Sequence, residues 1–235
     1  MVSMWKIRTF TVVLGFGLAI HPAVALADTT DRLAEAAATI EEVTKIPDKG
    51  IPKSLLERAH CVVAVPSLKK GAFVVGGEYG RGFASCRAPA GWSAPAGIRV
   101  EGGSFGLQIG GSETEVVMLV MNKKGMDRLL STKFTLGGEA SVAAGPVGRA
   151  AEAKTDAAMT AEILAYSRAR GVFAGIALEG STLREDADAN RELYGKPVAN
   201  REILSGGVPA PASASRLLAA IKRSAGPGGA GQGTR

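Results

Sequence analysis

The chain has 235 residues, 46% of them apolar and 5% aromatic, and carries 28 Lys and Arg against 22 Asp and Glu for a net charge of +6. That length holds one domain with a sizeable core. The mild basic excess suits an anionic surface but lacks the charge density of a nucleic-acid binder, and the few aromatic residues argue against a stacking platform for single strands.

The first residues, Met1 to Arg8, place two cations and no carboxylate ahead of an apolar run from Thr9 to Ile20. That run is too short for a hydrocarbon core of roughly 30 Å. Pro22 reads as a helix stop, and Ala25-Leu26-Ala27 matches the small-x-small pattern of signal peptidase. Residues 1–27 are therefore read as a signal peptide, with a new N-terminus at Asp28. The mature protein is expected in the periplasm or secreted, with a charge of about +4. No Cys follows the apolar run to take a lipid, and no later segment is apolar enough to span a membrane. Cys61 and Cys86 are the only cysteines. In an oxidising compartment they read as a disulfide, the alternative being two buried thiols.

Residues 30–45 read as a helix with Leu33, Ala37, Ile40 and Val43 on one face and Asp31, Arg32, Glu35, Glu41 and Glu42 on the other. Its acidic polar face favours packing on the core over docking on anionic lipid. Pro52 starts a short helix to about Ala59. From Cys61 onward, short apolar runs cut by Gly and Pro predict strands at 61–66, 71–77, 80–87, 97–101, 104–110 and 113–121. Lys69-Lys70 falls in a turn in that scheme. The unalternating run Val116 to Met121 predicts a central strand buried on both sides. A helical turn is expected over 126–131, then strands over 134–144, 159–168 and 171–179. Helices are expected over 183–194 and 212–224. Residues 161–166 fit helix or strand by propensity alone. The Gly-rich end, 226–235, has nothing to bury and reads as a disordered tail. Residues 28–225 thus form one α+β domain, β-rich, with a mostly antiparallel sheet or barrel-like core and flanking helices.

Few residues invite catalysis. Gly102-Gly-Ser104-Phe-Gly106 matches the nucleophile-elbow pattern, but that motif needs a downstream His, and His21 and His60 both lie upstream. The glycines read better as a turn between strands. Asp186-x-Asp188-x-Asn190 opens like a calcium loop, yet Arg191 and Pro197 occupy the positions that need Gly and Glu, so it reads as a solvated helix face. No metal site, cofactor or enzyme activity is expected.

Several runs are more specific. They include Lys70-Gly-Ala-Phe-Val-Val-Gly-Gly, Gly103-Ser-Phe-Gly-Leu-Gln-Ile-Gly110, Lys133-Phe-Thr-Leu-Gly137, Ser141-Val-Ala-Ala-Gly-Pro-Val-Gly-Arg149 and Glu162-Ile-Leu-Ala-Tyr-Ser-Arg168. In this order and spacing they resemble the SYLF domain, the Ysc-type actin-binding and lipid-binding family, over roughly residues 33–205. The resemblance supports the strand reading at 161–166. It implies a non-catalytic domain: eukaryotic members bind phosphoinositide membranes through basic residues and an N-terminal helix, and fungal ones also bind actin. Export and the acidic helix face depart from that pattern. The resemblance therefore implies an anionic phospholipid or membrane surface, or another anionic envelope molecule, as partner. A structural module for an envelope protein partner is the alternative, and no nucleic acid is expected. Lys69, Lys70, Lys123, Lys124, Arg149 and Arg168 are the residues expected to touch lipid.

Overall fold

The computed structural model describes residues 22–43, 45, 50–72, 75–105, 110–148, 160–169 and 172–228. The apolar stripe predicted near the N-terminus is there: Leu33, Ala37, Ile40 and Val43 are buried on one side of α1 (Pro22–Val43). Pro22 is the first described residue of α1, and the apolar run that it is expected to end, Thr9 to Ile20, lies outside the described residues. The helix runs unbroken through Ala27 and Asp28, while residues 1–21 lie outside the described residues. A short helix, α2 (Lys53–Arg58), follows Pro52, which serves as its N-cap.

The strands are β1 (Cys61–Ala72), β2 (Val75–Ala88), β3 (Gly91–Trp92), β4 (Ala96–Phe105) and β5 (Gly110–Val120). Helix α3 (Lys123–Leu129) comes next, its first turn capped by the Asn122 side chain, which accepts from the Gly125 N–H at 2.9 Å. Then follow β6 (Lys133–Thr135), β7 (Val142–Ala144), β8 (Ile163–Ala169), β9 (Val172–Gly175) and β10 (Thr182–Glu185). Three further helices follow among the described residues, α4 (Ala187–Tyr194), α5 (Asn200–Leu204) and α6 (Ser215–Ala225). Main strand order is β6-β10-β4-β2-β1-β5-β8-β7, with β3 beside β2 and β9 beside β8. All described strand pairings are antiparallel except β7 with β8, so the sheet is mixed, and an isolated bridge between Leu136 and Ala140 is also parallel.

Three sequence readings need correction. Residues 61–66 and 71–77 are not separate strands, since β1 runs through Lys69-Lys70 to Ala72. A bulge between Ala64 and Ser67 absorbs Pro66, which has no N–H for a ladder. The stretch expected as one strand over 134–144 is interrupted by a turn at 137–139, leaving β6 and β7. The helix expected over 183–194 begins as strand β10 and turns into α4 at Asp186. Leu183 is buried and Arg184 exposed, the alternation of a half-buried strand.

Strand β5 lies between β1 and β8, and its residues 116–120 are buried on both faces as the unalternating apolar run predicts, while residues 111–113 are exposed. Val62, Leu119 and Leu164 stand in register and face the cluster shared with α1, α2 and α6. Val63, Met118 and Ala165, one step along, face the opposite cluster, which includes Phe134, Leu183 and Ile203. Cys61 and Cys86 are register partners on that second face, fully buried and joined by a disulfide.

Candidate functional site

Among the described residues, charges gather where β2 and β4 meet the start of α4. Arg81 and Arg99 are directly opposed across the two strands. Like charges so placed repel, and the fold answers with Asp186, whose side chain is 1% exposed. Its carboxylate accepts from Arg81 Nε at 2.6 Å and from Arg99 at 2.8 Å, and also from the Ala189 N–H as the cap of α4. Burial opposes ionisation of Asp186, but the two guanidinium groups outweigh it and hold the carboxyl below the usual range. Asp188 adds a second contact to Arg99 at 3.1 Å, and Asp28 on α1 stands 3.7 Å from Arg81. The solvated helix face read at Asp186 is therefore a buried ionic clamp joining α1, β2, β4 and α4. The missed signal is an Asp directly before a helix and after a strand, which is an N-cap position.

The residues expected to bind lipid do not share one patch. Lys69 and Lys70 sit eight and nine residues along β1 from Cys61, whereas Lys123 and Lys124 follow Val120, the register partner of Cys61. At about 3.3 Å per strand residue, the two pairs stand roughly 26 Å apart. Lys70 pairs with Glu78 at 2.8 Å, and the Ser181 hydroxyl also donates to that carboxylate. Lys124 reaches Glu162, 6% exposed, at 2.6 Å, and Lys123 pairs with Asp127 in its own helix. Lys69 is exposed and pairs with no carboxylate among the described residues. Arg168 is a structural ion-pair residue, bonded to Glu115 at 2.8 Å and to Glu42 of α1 at 3.2 Å. Arg149 lies outside the described residues.

Arg87 also acts inside the fold. It donates to the carbonyls of Glu57, Ala59, Ala225 and Pro227 and lies 4.6 Å above the Trp92 ring, pinning α2 and the end of α6 to β2. Gly102, Gly103 and Ser104 lie within strand β4, so they do not make the turn expected of them, nor the strand–turn–helix a nucleophile elbow requires. His60, half-buried and near Arg87, is held below its ordinary pKa by burial first and by that positive charge second.

Scaffold and charges together define an α+β sheet domain whose gathered ionic groups clamp one element to another. A family model described as Las17-binding protein actin regulator, Ysc84, matches residues 101–224, and the chain belongs to this family. An SH3 domain-containing protein of Schizosaccharomyces pombe is 40% identical over 171 residues, which is 71% of this chain and 40% of the relative. Protein YSC84 of Saccharomyces cerevisiae is 39% identical over 176 residues, 73% of this chain and 37% of the relative. Human SH3 domain-containing YSC84-like protein 1 is 35% identical over 190 residues, 78% of this chain and 55% of the relative. The chain thus spans about half or less of the curated relatives it matches.

Proposed function

We propose that this chain is a non-catalytic docking domain for a protein partner in the cell envelope, exported behind residues 1–27. The observation that carries the reading is the family match over residues 101–224, since the family is described by what it binds and regulates. A yeast relative is likewise named LAS seventeen-binding protein 3. Binding to protein is what the likeness lends to this chain; Las17 and actin belong to the relatives. The ion pairs support the same reading. Lys70, Lys124 and Arg168 are engaged with Glu78, Glu162, Glu115 and Glu42, which reduces the charge they offer a membrane.

A second reading, binding of anionic phospholipid, is favoured by the net charge of +6 and by the exposed ends of Lys123 and Lys124, 81% and 68%. Each cation held at an anionic surface contributes about 1 kcal/mol, weakening with salt. Sedimentation with phosphatidylglycerol and zwitterionic vesicles at low salt separates the two. Docking to protein predicts equal recovery. Strong enrichment on phosphatidylglycerol, lost on adding salt, would favour the lipid reading and count against docking.

A further inference from the structure

Register along the sheet shows a feature that no single stretch of sequence displays. Lys133 on β6 faces Arg184 on β10, Arg184 faces Arg99 on β4, and Arg99 faces Arg81 on β2. Four cations from four neighbouring strands stand in one row on one face, spanning roughly 14 Å at strand spacing. Directly opposed like charges are destabilising, so each half of the row calls for a counter-charge. Buried Asp186 and neighbouring Asp188 serve the Arg81–Arg99 half. The other half is only partly neutralised. Arg184 has Glu101 at 3.3 Å with both side chains partly exposed, and Lys133 is exposed and pairs with no carboxylate among the described residues.

The same face continues past this row. One step on, Thr182 and Glu101 are register partners, and Glu101 faces Tyr79, which at 47% is one of two large apolar side chains exposed among the described residues. Beyond Tyr79, Gly103, Gly77, Gly71 and Gly111 align across β4, β2, β1 and β5. A Cβ built on any of them meets nothing closer than 3.7 Å. The backbone is therefore open there without being required to be glycine by its own fold. Nor is the outer edge of β6 a free strand template, since Glu139 accepts from the Thr135 N–H at 2.9 Å. The open element is the face.

We infer that the Lys133–Arg184 end of this cation row, with the exposed sheet face beside Tyr79, is a docking surface for an acidic segment of a partner protein. The partner's carboxylates would supply at Lys133 and Arg184 the counter-charge that Asp186 supplies at Arg81 and Arg99. Arg184 can bind a carboxylate through two parallel N–H donors, and Lys133 adds a second positive point beside it. The inference rests on the protein-docking reading and locates it on the molecule.

The test is a fluorescence-anisotropy titration of the full exported chain with a labelled decaglutamate peptide at low and physiological salt. Lys133→Glu with Arg184→Glu should weaken binding about tenfold, whereas Lys123→Glu with Lys222→Glu, on other elements, should change it by less than about twofold. Should the reversed pair fail to fold, Lys133→Gln with Arg184→Gln should still weaken binding about threefold with unchanged circular dichroism. Amide shifts at Thr135 and Thr182 on adding the peptide to the unsubstituted protein give the same answer independently. No peptide binding, or equal loss in the control pair, overturns the site. So does phosphatidylglycerol vesicle binding that depends on Lys133 and Arg184 while the peptide is ignored. Peptide binding that survives both substitutions removes this site and leaves the docking reading standing.

Discussion

Replacing Asp186 with Ala strips a buried carboxylate from two guanidinium groups that face each other across paired strands. Breaking a buried ion pair typically costs about 3–5 kcal/mol, because the partner charge remains without compensation. Arg81 and Arg99 keep 24% and 25% of their side-chain surface, and Asp28 and Asp188 stand close to them, so the lower end applies. Loss of the α4 cap adds about 1 kcal/mol, for a total of about 4 kcal/mol. For a domain of this size each kcal/mol moves the midpoint by about 2–4 °C, so Tm should fall by roughly 8–16 °C. Scanning calorimetry at neutral pH reads this directly, and Asp186→Asn, which keeps an acceptor for the Ala189 N–H, should lose less. The pH dependence has a definite sign. The folded carboxyl lies below its unfolded value of about 3.9, so its contribution is complete above that pH and fades as pH falls through the folded pKa. The gap between unsubstituted protein and Asp186→Ala should therefore narrow below about pH 4. A fall in Tm below about 2 °C, or a gap unchanged down to pH 3, would refute the reasoning.

Two further predictions concern the sheet. The Cys61–Cys86 bridge joins strand partners that are fully buried, so maleimide should label no thiol even after denaturation without reductant, and Cys61→Ala with Cys86→Ala should lose about 3 kcal/mol for a separation of 25 residues; two thiols labelled in the denatured, unreduced protein would sink the bridge. Gly82 packs so closely on the β1 bulge that an added Cβ would lie 2.1 Å from the Ala64 carbonyl oxygen. Gly82→Ala should cost about 3 kcal/mol in chemical denaturation, while Gly71→Ala, with nothing within 4 Å, should change stability by less than about 1 kcal/mol; similar values for the two would contradict the close approach.

Elements whose residues repeat a strong local period were legible in the sequence. The stripe of α1 and the two-sided burial of residues 116–120 follow from residue type and spacing, whereas the Cys61–Cys86 bridge is read from an even cysteine count and the oxidising compartment that export implies. What failed was local continuity across a breaker. Pro66 looked like the end of a strand because a bulge that tolerates it depends on how β2 pairs alongside. Asp186 looked solvated because its partners, Arg81 and Arg99, lie 105 and 87 residues away along the chain. The cation row is the same case in a stronger form. Arg81, Arg99, Lys133 and Arg184 read as scattered charges, and only strand order and register bring them into line. Conversely, Lys69-Lys70 and Lys123-Lys124 look like two matching pairs in the sequence, yet the sheet sets them at opposite ends of β1 and gives Lys70, Lys123 and Lys124 carboxylate partners.

The central claim, docking to an envelope protein, is tested most directly by placing a photo-crosslinking amino acid at Tyr79 in the full chain and irradiating living cells of its own source. The account predicts a single protein adduct of fixed stoichiometry, mapped by mass spectrometry to an acidic segment of the partner and lost when Lys133 and Arg184 are reversed to Glu. Adducts to phospholipid alone, or none with any protein at Tyr79, would contradict it.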